Sequence, residues 1–304
     1  MDEEYEEHVT AVNKLEEAEE LYSSMQFDEA YGPIMECLEL DPDLGRAWEL
    51  NGMIMLYYGD FEGARSSFME ATSKRGHYPE AKWSITLMEG DKWPPGNGPK
   101  VEMERYSLIG NRLLNDRLWK GAALCYTKLA QMSEPNWMTS SIMGLIYREM
   151  GLLEPSLEEY QKAASFDDSP PEIYFDMSTV LIKLGKLEEA EGMLVELMDK
   201  LGPSPPVLNN LGTSIEAQGR EDEAMEIFEE ALEMDPKYYP ALYSKGRLLQ
   251  KKGKMEEARE VLGRALDKEG RVFDMEDVNG REAREEDGKV HMKEVMIEDD
   301  LKKE

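Results

Sequence analysis

The stretch LNNLGTSIEAQGREDEAMEIFEEALEMDP, residues 208–236, decides the fold. Small residues (Gly212, Gly219, Ala224, Ala231) fall at fixed intervals between large ones (Leu208, Leu211, Ile215, Phe228). One helix with one buried stripe does not need that pattern. Two helices pressed together do, because backbones approach closely only where a side chain is absent or tiny. The spacing predicts a helix, a turn at Gly219, a second helix, and a stop at Pro236.

The signal recurs along the chain every 34 residues. It relates Ala190, Ala224 and Ala258, and the turn glycines Gly151, Gly185, Gly219 and Gly253. It also relates the small residues of the first helix, Gly110, Gly144, Ser178, Gly212 and Gly246. Units start at 103, 137, 171, 205 and 239, and a second phase gives starts at 11 and 45. Each unit has apolar residues at helical spacing in two segments. One such pair cannot bury its apolar face alone, so neighbours must stack.

The pattern resembles the tetratricopeptide repeat, a helix-turn-helix family unit of 34 residues. The unit from 205 carries Leu208, Leu211, Gly212, Ile215, Ala224, Phe228, Ala231 and Pro236 in the family order. The unit from 45 carries Trp48, Gly52, Ala64, Phe68 and Ala71. The unit from 137 has Gly144, Tyr147, Tyr160 and Ala163, with Ser156 where Ala is usual, and the first unit has Cys37 in place of an Ala. The resemblance spans residues 11–272 apart from one gap. It implies an all-α fold: a right-handed superhelical solenoid of about seven stacked hairpins.

The gap follows the second unit. A third begins at Pro79, but its second helix is replaced by KWPPGNGPK, residues 92–100, whose prolines and glycines forbid regular helix. The expected organisation is therefore an N-terminal block over 1–90 (repeats 11–44 and 45–78, half repeat 79–90), a link over 91–102, and a block over 103–272. The second block holds repeats 103–136, 137–170, 171–204, 205–238 and 239–272, and 273–304 is a charged, partly disordered tail. Two arrangements satisfy the link: an extended strap with Trp93 packed on the array, or a hinge between separately stacked blocks. The GNG of the link lacks the spacing and the following Lys-Ser/Thr of a phosphate cradle.

Composition narrows the function. Of 304 residues 41% are apolar and 33% charged, and the net charge is -30, which argues against nucleic acid and anionic membrane as partners. No apolar run approaches the roughly 20 residues of a membrane-spanning helix. The acidic start MDEEYEEH is unlike a secretory signal, and the two cysteines, Cys37 and Cys125, sit in amphipathic helical patterns. A cytoplasmic location is expected. The three histidines, His8, His77 and His291, are scattered, with no ligand spacing. No metal, cofactor or catalytic residue is expected, and the chain reads as a non-enzyme.

The resemblance implies a concave groove lined by first helices, which receives a partner segment. Its groove positions carry over to Phe175, Thr179 and Lys183 (with Glu172), to Asn209, Thr213 and Glu216, and to Tyr243, Arg247, Gln250 and Lys251. Asn210 stands beside Asn209, and amides of this kind pair with both a donor and an acceptor of a peptide backbone. Earlier units offer Arg148 and Ser141, Asn111 and Asn115, and Glu49, Met53 and Tyr57. Phe175 and Tyr243 serve either ligand contact or packing on the next first helix. No three consecutive units supply the Lys and Asn set of a co-chaperone carboxylate clamp. Lys245, Arg247, Lys251, Lys252 and Lys254 form an expected cationic patch, open to an acidic partner or to the chain's own acidic tail.

The reading is a scaffold that binds a protein or peptide partner of unknown identity. Its alternatives are a weakly self-associating structural array and a docking subunit of an enzyme held in another chain.

Overall fold

The computed structural model describes residues 2–264, and these form fifteen α-helices and no strand. The expected tail and the end of the last repeat lie outside the described residues. The chain divides into two compact units at Ser169–Pro170. The first holds α1 (Asp2–Ser23), α2 (Phe27–Leu40), α3 (Gly45–Tyr57), α4 (Phe61–Ser73), α5 (Pro79–Met88), α6 (Pro99–Asn115), α7 (Trp119–Met132), α8 (Trp137–Glu149) and α9 (Leu153–Ala164). The second holds α10 (Glu172–Lys183), α11 (Leu187–Leu201), α12 (Pro205–Ala217), α13 (Glu221–Met234), α14 (Tyr239–Lys251) and α15 (Met255–Arg264). Seven hairpins result, one per expected repeat, with α5 as the half repeat.

The turns follow from local chemistry. Gly219 takes φ +83°, a left-handed conformation that only glycine adopts without a Cβ penalty. That geometry lets the Gly219 N–H donate to Glu216 O at 2.9 Å and the Arg220 N–H to Ile215 O at 3.2 Å, closing α12. Arg117 holds the same conformation after α6 at φ 59°, where a side chain costs about 1–2 kcal/mol.

The small residues of the repeat do what their spacing predicts. A Cβ on Gly212 would stand 2.6 Å from the Phe228 ring, one on Gly144 2.9 Å from Tyr160, and one on Gly52 2.4 Å from Phe68. One on Gly246 would meet Leu262 at 2.5 Å. In each of these four hairpins the first helix thus leaves a hole that a large side chain of the second helix fills. Ser178 occupies the same register in α10 and is fully buried.

After α5 the regular stacking ends. α6 begins at Pro99 rather than near 103, because a proline at the first helical position has its φ already set and needs no N–H partner. The link turns through Gly96 and Gly98, at φ 88° and 113°. Trp93 stands edge-on to Phe61 with ring centroids 5.7 Å apart, and Arg105 of α6 donates to Pro94 O and Gly96 O.

α7 then lies over the first helices of the N-terminal hairpins. Lys120 Nζ donates to Ser23 Oγ at 2.5 Å, and Lys128 Nζ stands 4.2 Å from the Tyr57 ring centroid. A Cβ on Gly121 would come within 3.1 Å of Met53 Cε and 3.3 Å of Glu80 Cγ. α7 approaches this closely only because residue 121 has no side chain.

Candidate functional site

In the second unit, α10, α12 and α14 are the first helices of consecutive hairpins. Phe175, Thr179 and Lys183 recur every fourth residue on α10, as do Asn209 and Thr213 on α12, and Tyr243, Arg247 and Lys251 on α14. Residues four apart share a helix face. The structure joins the three helices through hydroxyls and amides. Asn210 Nδ2 donates to Thr179 Oγ1 at 2.9 Å, and Ser244 Oγ donates to Asn209 Oδ1 at 3.1 Å. The Thr213 hydroxyl donates back to Asn209 O at 2.8 Å, and that of Thr179 to Phe175 O at 3.1 Å.

These bonds change the roles read from the sequence. Asn209 and Asn210 are 6% and 8% exposed, so their amides serve first as pins between neighbouring helices. Phe175 is half-buried and packs against the cluster of Leu194, Val207, Leu211 and Phe228. Tyr243 is half-buried, with the Arg247 guanidinium 6.0 Å from its ring centroid. Lys183 and Arg247 are exposed and have no carboxylate partner among the described residues.

The expected cationic patch is largely neutralised within the chain. Lys245 pairs with Glu229 at 2.7 Å, Lys251 with Glu221 at 2.6 Å and Lys254 with Glu257 at 3.6 Å, and Lys252 pairs with Asp222. Glu221 and Asp222 open α13 and Glu257 lies in the first turn of α15, where the helix dipole favours them, whereas Glu229 stands further along α13. Only Arg247 of the five cations is left without one.

The groove positions expected in the N-terminal hairpins are a correction. Glu49 and Met53 are fully buried, and Tyr57 is half-buried beneath Lys128, because α7 covers the face they line. The chain lost a second helix after α5 and laid α7 on the first helices instead. Arg148 is buried on α8 with Nε donating to Glu149 Oε1 at 3.0 Å. Asn111 is exposed on α6 and accepts from the Tyr126 hydroxyl at 2.6 Å. Both belong to the first unit.

Under α7 lies a polar cluster that the sequence reading missed. Arg46 donates to Glu19 at 2.9 Å, Glu49 at 2.5 Å and Glu80 at 3.0 Å, and the Ala81 N–H donates to Glu49 at 3.1 Å. Burial and then the charge of Glu80 push the Glu49 carboxyl above the usual carboxylate range, against Arg46 and the amide. Burial works against the Arg46 charge, but Glu80, Glu19 and Glu49 together hold its pKa above the usual value. The missed signal was a register one: Arg46 and Glu80 are opposite charges 34 residues apart, one repeat period. Burial also pushes the Cys37 thiol up to about 11 and the Cys125 thiol higher, so neither is a ready nucleophile. No group of three or more potential metal ligands converges among the described residues.

Helical hairpins that recur at 34 residues, with a small residue of the first helix under a large one of the second, define a stacked-repeat protein. Residues 175–239 and 216–272 match two family models, both described as tetratricopeptide repeat. Over residues 175–272, then, the chain carries tetratricopeptide repeats. No curated protein matches it by sequence. Among solved structures, a crystal structure of MamA is 22% identical, with TM-score 0.44 over 51% of this chain and 91% of that one. MamA residues 41 to the end from Desulfovibrio magneticus RS-1 is 16% identical, with TM-score 0.47 over 57% of this chain and 93% of that one. YrrB, described as a TPR protein with an unusual peptide-binding site, is 16% identical, with TM-score 0.44 over 70% of this chain and 97% of that one. No described helix is long and apolar enough to cross a membrane.

Proposed function

We propose that the chain is a non-enzymatic interaction scaffold that binds a segment of a partner protein on the face of α10, α12 and α14. The observation that supports this is the difference between the two first-helix faces. That of the N-terminal hairpins is filled by α7. That of the second unit keeps exposed Lys183 and Arg247 and half-buried Phe175 and Tyr243 around a rigid amide and hydroxyl seam. An extended segment gains main-chain hydrogen bonds from such polar positions and specificity from the flanking aromatics. The pinned asparagines supply a preorganised surface, which lowers the entropy lost on binding.

The test is affinity capture from native extract with the natural chain and a Phe175→Ala, Tyr243→Ala, Arg247→Ala variant. Asn209 is left intact because its loss would unpin α14. A partner retained by the natural chain and lost by the folded variant is the expected result. Equal recovery by both would remove this face from the account.

A further inference from the structure

We infer that the partner segment presents an acidic side chain, and that its carboxylate is taken between Asn209 and Arg247. The inference rests on the reading of α10, α12 and α14 as the docking face and names the chemistry which that face selects. Asn209 is 6% exposed, and its Oδ1 accepts from the Ser244 hydroxyl at 3.1 Å. That bond fixes the amide. Its Nδ2 has no hydrogen-bond partner among the described residues, yet it is not sealed from the surface, so an acceptor from outside can reach it.

Ser244 sets that donor beside Arg247. The two stand three apart on α14 and share a helix face. Tyr243, four residues before Arg247, has the guanidinium 6.0 Å from its ring centroid. Arg247 is exposed and meets no carboxylate within ion-pair distance among the described residues, in a chain with 65 acidic residues against 35 basic ones. The carboxylates at this end of the face are directed to a different cation. Glu221 pairs with Lys251 at 2.6 Å, and Glu216 adds its charge to the same ammonium.

A fixed neutral donor on α12 and a free charged donor on α14 match the two oxygens of one carboxylate. A peptide carbonyl would satisfy the amide and leave Arg247 unpaired, and a basic side chain would meet Arg247 as repulsion. The segment crosses three helices, so its chain continues on both sides of the site, which makes the carboxylate that of an Asp or Glu side chain rather than a chain end. The net charge of -30 opposes an acidic segment only at long range. At physiological salt, charges beyond about 8 Å are screened and the local pair decides.

The test is selection of a random peptide library, displayed with its C-termini blocked by the carrier, on the whole natural chain. Peptides lost with a Phe175→Ala variant that keeps its helical circular dichroism are those that use the face. They are expected to share an Asp or Glu at one position, a preference opposite in sign to the bulk attraction of an acidic chain for basic peptides. The tightest of them, made synthetically, is then titrated by fluorescence polarisation. Arg247→Gln, a change on an exposed side chain, is expected to weaken it about tenfold. Replacing the acidic residue of the peptide by its amide should cost the natural chain the same factor and cost Arg247→Gln little more. Face-dependent peptides without an acidic position, or an acidic position whose replacement costs both chains equally, would overturn the inference and leave the docking face standing. A library that yields no Phe175-dependent peptide would remove both.

Discussion

Substituting glycine by alanine in a helix usually stabilises it, so Gly212→Ala and Gly192→Ala should behave alike on propensity alone. The packing separates them. A Cβ at residue 212 stands 2.6 Å from Phe228 Cε1, 2.8 Å from Cδ1 and 3.1 Å from Cζ, and the ring is fully buried among Leu194, Leu197 and Ile215. The ring therefore has no free volume to swing into. One methyl forced into a filled core costs about 1–3 kcal/mol, and the better helix propensity of alanine returns about 1 kcal/mol. The net expectation is a loss of about 1 kcal/mol. Gly192 stands on α11, exposed, with no atom within 4 Å of an added Cβ. There only propensity acts, and the expectation is a gain of up to about 1 kcal/mol. Both glycines lie in the second unit, so both report on the same stack. Urea denaturation followed by circular dichroism measures the gap of about 2 kcal/mol. At a slope of about 3 kcal/mol per molar, it separates the two midpoints by roughly 0.7 M. Equal upward shifts in both variants would refute the claim that the small residues exist to admit the large ones.

Two further outcomes follow from the first unit. Arg46→Leu should cost about 3 kcal/mol or more at pH 7, because it leaves the buried Glu49 and Glu80 facing each other without a cation. The cost should shrink toward pH 4. Glu49 has a raised folded pKa, so its stabilising contribution is complete below the ordinary glutamate value of about 4.3 and is lost as pH rises above it. Thermal melts across that range check the slope, and a penalty independent of pH would contradict it. The link is proposed to act as a strap held by Arg105 through Pro94 O and Gly96 O. Limited trypsin digestion should cut slowly at Lys92 and Lys100 in the natural chain and faster in Arg105→Ala; rapid cutting of both alike would favour a hinge.

The hairpins were legible because their signal is local. Gly219 ends α12 and Phe228 sits over Gly212 within one repeat, and seven copies of that relation fix the register. What the sequence left unread depends on contacts between distant hairpins. Nothing near Met53 or Glu49 announces that α7 lies on them, since α7 is itself an ordinary repeat helix placed differently by the deletion after α5. The cationic patch misled for a related reason. Lys251 and Lys252 cluster along the chain, but their partners Glu221 and Asp222 lie on the preceding hairpin. The resemblance makes Asn209 a groove position with Asn210 beside it; what the sequence does not show is that Ser244 and Thr179 on adjacent repeats take up their amides in the seam.

The proposal that the face of α10, α12 and α14 receives the partner is tested most directly by site-specific photo-crosslinking in native extract. A benzophenone side chain is placed at Thr213, half-buried on α12 within that face, and in a second chain at Glu229, exposed on α13. The account predicts a discrete crosslinked partner from position 213 that is absent from position 229. Crosslinking from 229 alone would contradict it and move the interaction to the second helices.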